Sequence, residues 1–171
     1  MATVVARGDT GRSVASFTRP SNTTAYTAGD VVSTTAGAIM TFADVAKDAS
    51  GAIQSAMLLS SANVSTKLDA ELWLFSVAPA AVADNAVIAF TDAELAYLVD
   101  VISFPTSEWK VGIATSGADG NAVNVQRGLG IPVYTRVQNV PVNDLYGVLV
   151  ARNAYVPVSA EVFTVTLFEL F

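Results

Sequence analysis

Histidine and cysteine are both missing from this chain, and the two absences remove much familiar chemistry at once. Histidine is the usual general base and the commonest transition-metal ligand near neutral pH, so histidine-dependent triads and zinc-hydrolase motifs are excluded. Without cysteine there are no disulfides, thiolate nucleophiles or zinc–thiolate sites. Cations are scarce too. Nine Lys and Arg stand against fifteen Asp and Glu, for a formal charge of −6, and no two of the nine are adjacent. Duplex affinity comes largely from clustered cations that release counterions, so no nucleic-acid partner is expected.

Long apolar runs are lacking as well. The most apolar window, Ala78 to Phe90, is interrupted by Pro79, Asp84 and Asn85 and is too short to span a bilayer. At the start, Met1 to Val5 runs into Arg7, Asp9 and Arg12, so no secretory apolar segment is read there. A soluble chain without a membrane partner is the expectation. What the sequence does have is apolar content: 52% hydrophobic residues against 14% charged in 171 residues. A single domain of this size can remove ~70% of the unfolded chain's surface without staples. The apolar excess predicts that other subunits cover part of the surface.

The stretch Phe17 to Ser33, FTRPSNTTAYTAGDVVS, organises the rest. Val14 and Phe17 sit in a strand-like run that Arg19-Pro20 closes, because proline lacks a ladder donor. Ser21, Asn22, Thr23 and Thr24 supply side-chain oxygens for a turn. Ala28-Gly29-Asp30 reverses the chain again, and Val31-Val32 resumes extended structure. Before it, Met1 to Arg12 is read as an arm, leaving residues 13–171 as one domain.

Short extended runs separated by turn residues continue to the C-terminus. Ile39 to Ala43 is one. Ile53, Ser55, Met57 and Leu59 alternate with Gln54, Ala56, Leu58 and Ser60, predicting one buried face. Asp69 to Val77 reads as an interior strand with a wet end carrying Asp69 and Glu71. Thr91 with Glu94 forms a capping box, Phe90 with Leu95 a hydrophobic staple, and the spacing of Leu95, Leu98, Val99 and Ile102 predicts a helix over 92–99 against the sheet edge. Trp109, Val111 and Ile113 lead through the turn-rich 116–121 to a hairpin partner at Val123 to Gln126. Ile131, Val133, Thr135 and Val137 share a face, with Pro132 marking an edge. Leu145 to Ala151, apolar on both faces, must be central, and Phe163, Val165 and Leu167 line a last amphipathic strand. The fold class is therefore mainly β: a single-domain antiparallel β-sandwich of about eight to ten strands, expected to be a jelly roll, with one short helix.

No motif points to chemistry. Arg7-Gly8-Asp9 matches an integrin-binding tripeptide, but three-residue matches arise by coincidence. Asn22-Thr23-Thr24 and Asn63-Val64-Ser65 match the glycosylation pattern in a chain with no secretion signal to expose it. Asp69 with Glu71, and Asp92 with Glu94, are the pairs from which a glycosidase reading starts. A solvated strand end accounts for the first pair and the helix N-terminus for the second. Asp119-Gly120-Asn121 lacks the acidic ligands of a calcium loop and reads as a turn. Tyr26, Trp73, Trp109, Tyr134, Tyr146 and Tyr155 would form a sugar platform if they faced outward together, though such aromatics are more often core or oligomer contacts; Tyr134, beside Arg136, is the one expected outside. Catalytic, cofactor-binding and metal residues are all expected to be none, no cofactor is expected, and the chain is not read as an enzyme.

One resemblance sharpens this. Phe17, Arg19-Pro20, Thr23-Thr24-Ala25-Tyr26 and Ala28-Gly29-Asp30-Val31, in that order, resemble a segment of small structural proteins of tailed bacteriophages. Leu145 to Tyr155, LYGVLVARNAY, and the closing strand Val162 to Leu170 are similar to the end of the same group. The resemblance implies a capsid decoration, or cement, protein: a virion structural protein on the outer capsid surface, made in the host cytoplasm. Its implied partners are the major capsid protein and itself, as a homotrimer or homodimer, with the arm adding strands to a neighbour. The alternatives are a carbohydrate- or receptor-binding module of a head fibre or tail, and an acid-pair hydrolase using Asp69 and Glu71.

Overall fold

The computed structural model describes residues 10–43, 45, 51–62, 64–111, 121–133 and 144–170. Strand β1 (Thr10–Thr18) ends where Pro20 stops the ladder, and β2 (Val31–Val32) follows the two predicted turns. In the first turn the Thr24 amide donates to Asn22 Oδ1, and in the second Gly29 takes φ +102°, which a side chain would resist. After them come β3 (Met40–Phe42), β4 (Gly51–Ser60) and β5 (Ala70–Phe75). A helical turn, α1 (Asp92–Leu95), leads into β6 (Leu98–Phe104) and a single 3-10 turn. Next are β7 (Trp109–Val111), β8 (Ala122–Val133), β9 (Leu145–Ala151) and β10 (Val162–Leu170).

These strands form two antiparallel sheets, β1-β10-β4-β8-β7 and β2-β9-β5-β6, with β3 also pairing β9. The pairing is nested along the chain: β1 with β10, β2 and β3 with β9, β4 with β8, β5 with β6. Between the sheets lies one core of Phe42, Leu58, Leu72, Leu74, Phe104, Phe163 and their neighbours. At Gly147 on β9 an added Cβ would stand 2.9 Å from both Leu72 Cδ1 and Phe42 Cε2, side chains fully buried in that core, so the strand needs a glycine where the layers close.

Strands β5 and β9 are interior, as their two-sided apolarity requires, the amphipathic β10 lies between β1 and β4, and β7 with β8 is the predicted hairpin. Pro132 pairs with Ala52 beyond the reach of β7, where no strand among the described residues pairs the other edge of β8. The expected arm lies outside the described residues up to position 9, and its last three, Thr10 to Arg12, belong to β1.

Two expectations change. The helix predicted over 92–99 stops at Leu95: Leu98, Val99 and Ile102 enter β6, and no helix residue is buried. Capping box and charge gave the correct start, while Leu98 and the β-branched Val101 and Ile102 pair with β5 instead of continuing the helix, and Val99 falls at the register shift between Leu98 and Asp100. In β4 the register slips between Ile53 and Ser55, and the extra residue turns the strand over. Ile53 faces the core, but so do Ala56 and Leu58, the face assigned above to its opposite. Gly128 and Gly130 on β8, both at positive φ, accommodate the same irregularity.

The β2-β9-β5-β6 sheet carries a second, smaller cluster on its outer side. Val31, Phe75, Val148 and Val150 are buried there beneath Val82, Ile88 and Phe90. The covering segment runs beside β2, with Val31 N donating to Ala86 O, Asn85 N to Val31 O and Ile88 N to Gly29 O, each at 2.9 Å.

Candidate functional site

The polar chemistry of the organising stretch converges at one end of the sandwich. Arg19 Nε donates to the Tyr26 hydroxyl, which donates to Asp84 Oδ1. Arg19 Nη2 reaches Asp84 Oδ2 at 3.1 Å, and the guanidinium lies 4.7 Å from the Tyr26 ring centre. Both ions are withdrawn from water, with Arg19 0% and Asp84 5% exposed at the side chain. The Ser33 amide donates to Asp84 as well. Burial, then the bond to Asp84, pushes the Tyr26 phenol up, so it stays a proton donor.

A second buried acid completes this end. Tyr155, its ring stacked on Tyr26 at 6.4 Å, donates to both oxygens of Glu161, as do Ser60 Oγ to one and the Val158 amide to the other. Burial, then the Glu161 charge, pushes the Tyr155 phenol up too. Every carboxylate oxygen here has a partner, so the arrangement fastens the segments that meet at this end. Neither Asp84 nor Glu161 was singled out from the sequence as a site residue. Asp84 leaves one signal, an acid inside an apolar window; Glu161 leaves none.

The Asp69 and Glu71 pair is engaged on the outer side of the other sheet. Glu71 forms an ion pair with Arg152 and accepts from Trp73 Nε1 at 3.0 Å, and Arg152 lies 5.9 Å from the Trp73 ring centre. Burial raises the Asp69 carboxyl, the Glu71 charge adds to this, and Arg152 opposes it. The Asp69 backbone is held by Arg152 N and Asn153 Oδ1. In the other pair, Glu94 closes the capping box with Thr91 and accepts from the Ala80 amide at 2.7 Å, which pulls its carboxyl below the usual range. Asp92 sits in the helix's first turn.

The aromatics are not brought together. Tyr26, Trp109 and Tyr155 are core residues, and Trp109 Nε1 donates to Leu68 O. Trp73 and Tyr146 remain half-buried on the outer cluster. Tyr134, Arg136, Arg7-Gly8-Asp9, Asn63 and Asp119-Gly120 lie outside the described residues. Beside Tyr155, a cavity of about 10 Å³ lined by Ser60, Lys67, Trp109 and Phe163 among others has room for one water. Among the described residues no three acids gather to hold a metal ion, and no helix is long and apolar enough to cross a membrane. A scan against family models and a search of curated proteins both returned no match.

Proposed function

We propose that this chain is a structural virion protein that decorates and stabilises a tailed-phage capsid, binding the major capsid protein and itself. One observation carries the reading: the two segments on which the resemblance rests are a single unit in space. Tyr26 bridges Tyr155, Gly29 N donates to Ala151 O, Ala151 N to Asp30 O, and Val31 pairs with Val150. Letters shared at both ends of a chain are expected to travel together when they build one joint. The nested strand pairing, first with last inward to β5 with β6, supports a jelly roll as the module. A buried ion pair and a second, hydrogen-bonded buried acid fastening its end suit a part whose task is to resist load.

The test uses capsids assembled from the matching major capsid protein without this chain. Added protein should bind them and raise their resistance to heat and denaturant. Binding without any gain in resistance, or no binding, refutes the cement role.

A second reading has one observation in its favour. Trp73 with Glu71 and Arg152 is a half-exposed aromatic beside a carboxylate and a guanidinium, the components of a sugar-binding surface. Specific glycan-array hits lost in Trp73→Ala would promote the receptor-binding module over the cement protein.

A further inference from the structure

The two outer sides of the sandwich are finished differently. Residues 77–91 cover much of the β2-β9-β5-β6 sheet, whereas no described element packs on the outer side of β1-β10-β4-β8-β7. Pairing register lays out that bare side. One row reads Arg12, Phe168, Ser55, Arg127 across β1, β10, β4 and β8. The next reads Val14, Thr166, Met57, Val125, from Val14 exposed at the edge through Thr166, buried beneath its neighbours, to half-buried Met57 and Val125. A third ends at Lys110, beyond Leu59 and Val123. Met57, Phe168 and Val125 belong to neither buried cluster.

Charge singles this side out. Of nine cations in the whole chain, three border it, and none of the described strand residues pointing the same way is acidic. The molecule as a whole carries −6. Arg12 and Arg127 end one row ~14 Å apart, three strand spacings, with an aromatic between them. An apolar strip of Val14, Met57, Leu59, Val123, Val125 and Phe168 bordered by cations has the composition of a protein-docking core. Two copies placed face to face would oppose their cations, and a copy stacked front to back would leave an open-ended column. Dispersed cations on an apolar floor also do not track a phosphate backbone.

We infer that the outer side of the β1-β10-β4-β8-β7 sheet docks on a different protein, whose surface presents an apolar strip bordered by carboxylates. This rests on the decoration reading, in which that protein is the major capsid protein. The experiment is co-sedimentation with undecorated capsids, comparing the wild-type chain with Arg12→Glu/Arg127→Glu and with Leu95→Ser in α1, outside that sheet. The reversal should weaken binding at least ~tenfold, and wild-type binding should fall as salt rises, while Leu95→Ser binds like wild type. Should the reversal misfold by circular dichroism, Arg12→Gln/Arg127→Gln gives the same comparison with a smaller loss. Equal binding by wild type and reversal overturns the inference and leaves the decoration reading standing; no binding by wild type overturns both. A solution mass that drops on reversal would assign the surface to contacts between copies, and vesicles of anionic phospholipid captured by wild type but not by the reversal would assign it to a membrane. Either result overturns the inference.

Discussion

The molecule builds the same trio twice, an arginine paired with a carboxylate and laid near an aromatic ring, once inside and once outside. Arg19 with Asp84 and Tyr26 is sealed from water, and each of its guanidinium nitrogens has an acceptor: Tyr26, Val158 O, and Asp84 with Asn22. Arg152 with Glu71 and Trp73 keeps 32% and 24% of its two charged side chains exposed, and Arg152 Nε has no hydrogen-bond partner among the described residues. Identical chemistry therefore has two different consequences. In the interior the pair determines whether three distant segments stay joined; at the surface water competes for every charge.

The largest effect follows from removing one partner inside. Asp84→Ala strands the Arg19 charge, frees the Tyr26 hydroxyl and leaves the Ser33 amide unpaired. A buried ion left alone typically costs about 3–5 kcal/mol, so the melting temperature should drop by many degrees. Removing both charges in Arg19→Met/Asp84→Ala should recover part of that loss, because an apolar pair carries no desolvation debt. Thermal unfolding of the two variants side by side checks this. A loss from Asp84→Ala no larger than that of a surface pair would erase the contrast.

Glu169 supplies the intermediate case, a buried acid with no arginine. It is 4% exposed, and its Oε1 lacks a partner among the described residues. Burial raises its carboxyl, opposed by a hydrogen bond from Ser13. The native state thus holds this proton more tightly than the unfolded chain does. Its stability is full below the ordinary glutamate range and falls as pH climbs through the raised native value. Glu169→Gln should therefore unfold at a higher temperature than wild type at neutral pH, with the gap closing toward pH ~4. A gap constant with pH would show that the acid is satisfied after all.

How far the sequence foretold these trios follows from how local each is. Strand ends, both turns of the 17–33 stretch and the capping box depend on neighbours a few residues away, and proline, glycine and Asx chemistry announce them. The central strands were legible because they are apolar on both faces. The helix was overextended because Leu98 and Ile102 satisfy helical spacing and strand pairing equally, and only the presence of β5 decides between them. The turnover in β4 depends on a bulge shared with β8, which no single-strand pattern encodes. Asp84 was missed because its partner Arg19 lies dozens of residues away, and Glu161 because its burial depends on distant Ser60 even though Tyr155 and Val158 are near in sequence.

The smallest effect tests the comparison from the outside. Glu71→Gln keeps the shape of the side chain and an acceptor for Trp73 Nε1, and removes only the charge facing Arg152. A partly exposed pair of this kind is worth about 0–1 kcal/mol, and salt screens most of it. The variant should unfold within about 1 kcal/mol of wild type in urea, and the difference should vanish near 1 M salt. Asp69 sharpens the reading, because the Glu71 charge helps raise its carboxyl. In Glu71→Gln that contribution disappears, so the Asp69 carboxyl should titrate at lower pH, readable by carboxyl NMR even where the unfolding curves coincide. An unmoved Asp69 would mean that burial and Arg152 set it without Glu71, and that the two acids do not sense one another.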